Sequence, residues 1–112
     1  MADYDLSSLM ELLGNDEEAL KDILRAFLSD CEKYLSPLEE GVEKENFEEI
    51  RKNAHAMRSV VGNFNLKELY DEATNLETAG KECKTDGLKD VLEKFISGIG
   101  DFRTWIKKEY EI

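Results

Sequence analysis

The stretch NFEEIRKNAHAMRSVVGNFNLKEL, residues 46–69, determines the fold predicted from the sequence, because it contains the starts of two amphipathic helices. Asn46 followed by Glu49 is a variant of the capping box, and Asn65 followed by Glu68 repeats the pattern. Between the two starts, apolar residues recur at the spacing of one helix face. They are Phe47, Ile50, Ala54, Met57 and Val61. The stretch therefore predicts two consecutive helices joined by a short turn.

Upstream of this stretch, the same helical spacing predicts a short helix and then a long one. The short helix carries Leu6, Leu9, Met10 and Leu13. Gly14 then provides a stop signal, and Asn15 or Asp16 is expected to cap the long helix. Pro37 lies inside the long apolar pattern and removes one backbone donor, so we expect a kink or a break near Ser36.

Downstream, the spacing predicts two further helical stripes. The first carries Leu66, Leu69, Ala73 and Leu76, and the second carries Leu88, Leu92, Phe95, Ile99, Phe102 and Ile106. We expect a turn over residues 41–45 and the start of the last helix near Asp86. Short connections between amphipathic helices are typical of antiparallel bundles. The sequence thus predicts an all-α fold, an antiparallel four-helix bundle with a short additional N-terminal helix, in a single domain over residues 1–112.

The composition of the chain excludes several classes of function. With 112 residues, a formal net charge of −11 and a pI near 4.5, the chain is a poor candidate for binding nucleic acid or anionic membranes. No apolar run is long enough to span a membrane, and the N-terminus lacks the pattern of a signal peptide, so we expect a cytoplasmic protein. Cys31 and Cys83 lack the spacing of a zinc site or a disulfide framework, which leaves little support for a metal-binding enzyme.

His55 is the one histidine in the chain, and helical phase places it outside the predicted core. At about 100° per residue, it points roughly 130° away from the mean direction of the apolar stripe on its helix. The residues on its own side of the helix are basic or small, namely Arg51, Lys52, Arg58, Ser59 and Gly62. No acidic residue occurs between Glu49 and Glu68. The sequence therefore predicts an exposed imidazole in a local positive patch.

An exposed imidazole on a rigid helix can accept a phosphoryl group, because one ring nitrogen attacks while the other keeps its proton. Arg58, one turn away, would serve the phosphoryl oxygens through charge-assisted hydrogen bonds. The small residues Ser59 and Gly62 would allow the active site of a partner to approach the ring closely. Spacing alone leaves open the alternative that His55 is an ordinary surface histidine with basic neighbours.

Two stretches of the chain resemble the histidine-containing phosphotransfer domain family. AHAMRSVVGNFNLKEL, residues 54–69, is similar to the phosphoacceptor motif of these domains, and GNDEEALKDILRAFLSDCEKYL, residues 14–35, is similar to their second helix. The similarity covers roughly residues 5–107. It implies that His55 is the phosphorylated histidine and that Met57 occupies the apolar position two residues after it.

The chain also departs from the pattern of this family at three positions. Arg58 stands where the family usually has lysine, while Ser59 and Asn65 stand where it usually has glycine. The positive charge is kept at the first of these positions, and the second residue is still small. Gly62 and the asparagine after it match a common pair in the family.

The resemblance further implies a role for Glu77, which lies 22 positions after His55. In related phosphotransfer domains an acid or amide at this position, on the following helix, hydrogen-bonds near the ring. Helical phase independently places Glu77 at the edge of an apolar stripe, where a carboxylate requires a partner. The alternative is a solvated glutamate in an acidic helix.

For function, the resemblance implies a carrier that exchanges a phosphoryl group between His55 and the aspartates of response-regulator receiver domains in a two-component phosphorelay. The implied partners are a receiver domain, which would also hold the magnesium ion, and a hybrid sensor kinase. The chain has no GxxxxGK loop and no kinase motif, so we expect a carrier rather than an enzyme that phosphorylates itself from ATP. We also expect it to be a monomer without a cofactor of its own. The alternative is a non-catalytic helical-bundle module that binds or titrates a signalling partner.

Overall fold

The computed structural model describes residues 4–112, and within this range the chain forms five helices and no strand. The helices are α1 (Ser7–Leu12), α2 (Glu17–Glu43), α3 (Phe47–Gly62), α4 (Lys67–Glu82) and α5 (Leu88–Tyr110). The connections that join α2 to α3, α3 to α4 and α4 to α5 are only a few residues long, so these four successive helices run antiparallel. Each of these four helices packs against two others, with α5 closing the bundle against α2, and α1 packs on α2. The predicted all-α bundle with a short N-terminal helix is confirmed.

Aromatic rings fill one end of the core. The rings of Phe27, Phe64 and Phe102 pack in a triangle, with centroids 5.2 to 5.4 Å apart and edge-on or tilted contacts. Such offset geometries are favourable for aromatic side chains. Phe64 lies in the turn after α3, where helical periodicity no longer applies, and its buried side chain closes this end of the bundle.

The two cysteines lie in different environments and are both free. Cys31 belongs to the core, where burial raises the pKa of its thiol to about 11. Cys83 is exposed at the end of α4. A buried thiol with a raised pKa is a poor nucleophile, so Cys31 has a packing role.

The long helix α2 begins as predicted but continues further than expected. The Asp16 carboxylate accepts a hydrogen bond from the backbone N–H three residues later, at 3.2 Å, and so caps the helix. Pro37 lies inside α2 without ending it, so of the kink or break predicted near Ser36 the break is wrong. The helix continues to Glu43, and the turn predicted over residues 41–45 therefore begins too early. Buried side chains on both sides of the proline hold the helix against the core, namely Leu35, Leu38 and Val42.

The predicted caps of α3 and α4 have different outcomes. Asn46 caps α3, since its side chain accepts a hydrogen bond from the backbone N–H of Glu49 at 3.3 Å. Asn65 does not cap α4, because the N-cap of this helix is Leu66. Instead, Asn65 has a φ of 56°, in the left-handed region that asparagine tolerates better than most residues. The tight turn between the helices requires this conformation, which explains the preference for glycine that the family resemblance attaches to the position.

Helices α3 and α4 approach each other closely at Gly80. A Cβ atom at this position would lie 2.6 Å from the backbone nitrogen of Arg51 and 2.9 Å from the carbonyl oxygen of Phe47. Both atoms belong to the backbone of α3 and cannot rotate away. In contrast, a Cβ atom at Gly100 in α5 would meet no atom within 4 Å. Gly80 therefore sets the spacing of α3 and α4.

We predict that Gly80→Ala lowers the free energy of unfolding by about 2–3 kcal/mol, because the added methyl group pushes two helix backbones apart. Gly100→Ala is the matched control, and it should raise stability by roughly 0.5–1 kcal/mol through the higher helix propensity of alanine. Urea unfolding followed by circular dichroism measures both values. Equal effects of the two substitutions would show that the close contact at Gly80 does not constrain the bundle.

Candidate functional site

The antiparallel packing of α3 on α4 brings successive positions of the two helices together. Residues near the start of α3 face residues near the end of α4, and residues near the end of α3 face residues near the start of α4. The facing pairs are Arg51 with Gly80, His55 with Glu77, and Gly62 with Tyr70. The pair of His55 and Glu77 lies one helical turn from the close contact at Gly80, and the helix spacing set there determines how far these two side chains must reach.

His55 connects the protein surface to a buried carboxylate. Its side chain is 52% exposed, whereas the side chain of Glu77 is only 5% exposed. The distance between Nδ1 of His55 and Oε2 of Glu77 is 3.0 Å, which is a hydrogen bond. The structure thus brings together two residues that the sequence separates by 22 positions. The alternative of a solvated glutamate does not describe Glu77.

The contact with Glu77 determines which nitrogen of the His55 ring carries the proton. An ionised carboxylate only accepts hydrogen bonds, so Nδ1 must be the donor and the neutral ring has its lone pair on Nε2. Nη2 of Arg58 lies 3.3 Å from Nδ1. Since a guanidinium is a donor too, this contact is a close approach and not a hydrogen bond in that tautomer. The arrangement leaves Nε2, on the other side of the ring from Glu77, as the available nucleophile.

Two further cations hold the carboxylate of Glu77. Nε of Arg58 lies 3.2 Å from Oε1, and Nζ of Lys81 lies 3.4 Å from Oε2. Burial raises the pKa of Glu77, but the contacts with His55, Arg58 and Lys81 outweigh it, so the pKa lies below its ordinary value. Within residues 4–112, Oε1 is buried without a hydrogen-bond donor, and Arg58 compensates it through charge.

Lys81 belongs to this cluster although the sequence did not single it out. A signal for it exists, because a glutamate four residues before a lysine is the spacing of a helix ion pair. The same helix contains a second pair with this spacing, Lys67 and Asp71 at 2.9 Å. Spacing along the chain does not show which of the two pairs contacts the histidine. Only the packing of α4 on α3 distinguishes them.

The positive patch predicted around His55 is partly neutralised by neighbouring carboxylates. Nη2 of Arg51 lies 2.6 Å from Oε1 of Glu48, and Nζ of Lys52 lies 3.6 Å from Oε2 of Glu49. In each pair the glutamate precedes the basic residue by one turn of α3. Exposed pairs of this kind are weak, typically below about 1 kcal/mol, so the basic side chains can exchange these carboxylates for an anionic partner.

The face of α3 beyond His55 presents little side-chain bulk. The hydroxyl of Ser59 donates a hydrogen bond to the backbone oxygen of His55 at 3.3 Å and so lies folded against its own helix. Gly62 is exposed, and a Cβ atom there would lie 3.6 Å from the ring of Tyr70. Tyr70 is itself 41% exposed. A partner can therefore reach the imidazole along this face without a steric barrier.

Two other findings for residues 4–112 concern the kinds of site the chain offers. No group of three or more histidine, cysteine, aspartate or glutamate side chains is placed to hold a metal ion in this range. None of the described helices combines the length and apolar character that a membrane-spanning segment requires.

The family model described as Hpt domain matches residues 22–105 of the chain. The matched range extends from the second turn of α2 into α5 and includes His55, Arg58, Glu77 and Lys81. No curated protein and no solved structure matches the chain.

We predict that Glu77→Gln lowers the free energy of unfolding at pH 7 by about 1–3 kcal/mol, because it removes the counter-charge of Arg58 and Lys81. The folded pKa of Glu77 is lowered, so its stabilising contribution is present above the ordinary glutamate pKa of about 4.3 and is lost as the pH falls through the folded value. The difference between wild type and variant should therefore vanish in acid. Chemical unfolding between pH 3 and pH 8 measures it.

Glu72 on the same helix is a control of opposite sign. Burial, and then the charge of Glu68, raise its pKa. A raised pKa means that the stabilising contribution is present at low pH and is lost as the pH rises through the folded value. Glu72→Gln should therefore leave stability unchanged or increase it at pH 7. A loss for Glu72→Gln equal to that for Glu77→Gln would show that the cation cluster is not the cause.

Proposed function

The chain belongs to the Hpt domain family, and on this basis we propose that it carries a phosphoryl group on His55 between the aspartates of response-regulator receiver domains in a two-component phosphorelay. Domains of this family take part in histidine phosphotransfer and are carriers rather than catalysts. The observation that best supports His55 as the acceptor is its 3.0 Å hydrogen bond to the buried carboxylate of Glu77. This bond fixes the tautomer in which Nε2 is nucleophilic.

The proposed transfer needs no proton to leave the ring. The lone pair of Nε2 attacks the phosphorus of an aspartyl phosphate on the receiver and forms an N–P bond. The P–O bond to the aspartate breaks, and the aspartate departs with the electron pair as a carboxylate. Because Nδ1 keeps its proton, the ring of His55 becomes positively charged, and the carboxylate of Glu77 at 3.0 Å stabilises that charge. Transfer back to a receiver reverses these steps.

Arg58 is proposed to bind the phosphoryl oxygens. Its side chain is 30% exposed, and Nη2 lies close to the imidazole at 3.3 Å. Nε forms an ion pair with Oε1 of Glu77, which anchors the guanidinium while its terminal N–H groups stay available for an anion. Catalysis of phosphoryl transfer consists largely of positioning and charge neutralisation, and this geometry supplies both.

We assign receiver docking to the face of α3 around His55. Ser59 and Gly62 give the receiver's active site close access to the ring, and Arg51 and Lys52 provide charge that its acidic surroundings attract. In this proposal the receiver supplies the magnesium ion, which lies among its own acidic side chains. This chain supplies the imidazole, the guanidinium and the docking surface.

The proposal includes the setting in which this exchange occurs. We propose a monomeric carrier, one domain over residues 1–112, that works in the cytoplasm and receives its phosphoryl group from a receiver of a hybrid sensor kinase. Family membership supports these partners. The net charge of −11 supports the exclusion of nucleic acid and anionic membranes as ligands.

His55→Gln should abolish phosphoryl acceptance and leave the fold intact. Glutamine retains an N–H donor for Glu77 and the site is half exposed, so we expect a stability change below about 1 kcal/mol. The measurement is transfer of radiolabel from a phosphorylated receiver, followed by acid treatment, because a phosphoramidate is acid-labile.

The outcome of this experiment separates the two candidate functions. A non-catalytic interaction module would bind receivers without taking up label, in both the wild type and the variant. Label that persists in His55→Gln would remove His55 from the mechanism and place the acceptor elsewhere.

Arg58→Ala should slow transfer by about ten- to a hundred-fold, because a charge-assisted hydrogen bond in the transition state contributes about 1.5–3 kcal/mol. Arg58→Lys should retain most of the activity, since it keeps the charge but loses the two-pronged geometry. Rapid-quench transfer at saturating receiver measures the chemical step apart from docking. A wild-type rate for the alanine variant, with only the salt dependence of association changed, would reduce Arg58 to a general charge.

A further inference from the structure

Lys81 and His55 compete for the same oxygen of Glu77. The Nδ1–H group of His55 donates to Oε2 at 3.0 Å, and Nζ of Lys81 lies 3.4 Å from that same oxygen. The other oxygen, Oε1, is paired with Arg58. Two cations, one near each oxygen, therefore reduce the effect of the negative charge of Glu77 on the imidazole.

The negative charge on the carboxylate of Glu77 affects whether the free ring of His55 is protonated. A carboxylate without competing cations would stabilise a protonated imidazole strongly. A protonated ring has no lone pair on Nε2 and cannot accept a phosphoryl group. A carboxylate that is partly neutralised still fixes the tautomer, because it accepts the Nδ1 proton, but it favours the protonated ring less.

We propose that Lys81 is a positioning residue that acts through Glu77 to favour the neutral, nucleophilic form of the His55 ring. This inference rests on the proposed function, because it concerns the readiness of His55 to accept a phosphoryl group. Lys81 itself need not touch the phosphoryl group, since it acts on the carboxylate and not on the reacting atoms.

The charged groups around Glu77 come from the two helices that form the site. His55 and Arg58 face it from α3, with Arg51 of the same helix farther away, and Lys81 faces it from α4. Helix α2 packs on α3 and helix α5 packs on α4, but neither places a charged side chain within ion-pair distance of Glu77 in the part of the chain described by the structure. A substitution of Lys81 therefore changes one of a small set of contributions.

Lys81→Met should shift the pH profile of phosphoryl acceptance to higher pH by about 0.2–0.7 pH unit, the size expected for one partly exposed ion pair. On the acidic limb this is a roughly two- to five-fold slower rate at the same pH. At high pH, where the ring is neutral in both proteins, the rates should be equal or the variant faster. The donor is phosphoramidate, a small molecule that needs no docking surface.

A second readout does not depend on phosphotransfer. His55 is the one histidine in the chain, so its ring signals in a ¹H–¹⁵N spectrum are unambiguous. A pH titration should show the midpoint of ring protonation moving up in Lys81→Met and returning towards the wild-type value in Lys81→Arg, which restores the charge. In a Glu77→Gln background the effect of Lys81→Met should largely disappear, because the residue acts through that carboxylate.

Lys67→Met is the matched control. Lys67 lies on the same helix, forms an ion pair of the same sequence separation with Asp71, and contacts neither Glu77 nor His55 within the described residues. Its removal changes the net charge by the same amount as Lys81→Met and should not move the ring titration. Thermal melting of both variants checks that each is folded at the temperature of the titration.

Three results would overturn the inference. They are an unchanged titration midpoint in Lys81→Met, an equal shift in Lys67→Met, and a full shift that persists in the Glu77→Gln background. Failure of the proposed function has a different signature, namely a wild-type protein that takes up no phosphate on His55 while the ring titration still responds to Lys81→Met.

Discussion

The close approach of α3 and α4 is the constraint on which the rest of the site depends. A glycine at position 80 lets the two helix backbones meet where any side chain would collide with the backbone of Arg51. One turn away on each helix, that spacing places the carboxylate of Glu77 3.0 Å from the ring of His55. The chemistry of the site thus depends on the close approach of two helix backbones at a glycine, which has no functional group of its own.

Burying the carboxylate of Glu77 costs folding free energy, but it gives the His55 ring a hydrogen-bond acceptor. Removing an ionised group from water costs several kcal/mol unless charges and hydrogen bonds compensate it, and Arg58, Lys81 and the His55 ring do so here. Such clusters are weak evidence for stability, because an apolar replacement of the same shape is often as stable. What the cluster provides is a defined tautomer of the His55 ring. Because the pKa of Glu77 is lowered, its carboxylate stays ionised and accepts a hydrogen bond from a protonated Nδ1. The cluster is therefore explained by the tautomer that it gives to the His55 ring and not by a gain in stability.

Helical periodicity predicted the bundle and most of its core, because the apolar stripes of α2 to α5 repeat at the helix spacing and require burial. It could not predict Phe64, which closes the core from a turn, nor the left-handed conformation of Asn65, which depends on how sharply two packed helices reverse. The position of His55 outside the core also followed from phase. The burial of Glu77 and the contact of Lys81 did not, because both arise from the register between two helices, and a single sequence shows spacing within a helix but not across the interface.

Local charge reconciles the acidic chain with a phosphoryl ligand. The whole chain has a formal net charge of −11, which would repel an incoming anion. Within the cluster, however, the carboxylate of Glu77 is accompanied by the two cations Arg58 and Lys81, so with the ring of His55 in its neutral form these four groups carry about one net positive charge. In the proposed transfer, a phosphoryl group would bring close to two negative charges and the ring that accepts it would gain one positive charge, which would leave the cluster close to neutral. For the proposed carrier, a site that starts slightly positive and ends near neutral would let the phosphoryl group be taken up without being trapped, which suits a group that must be released again.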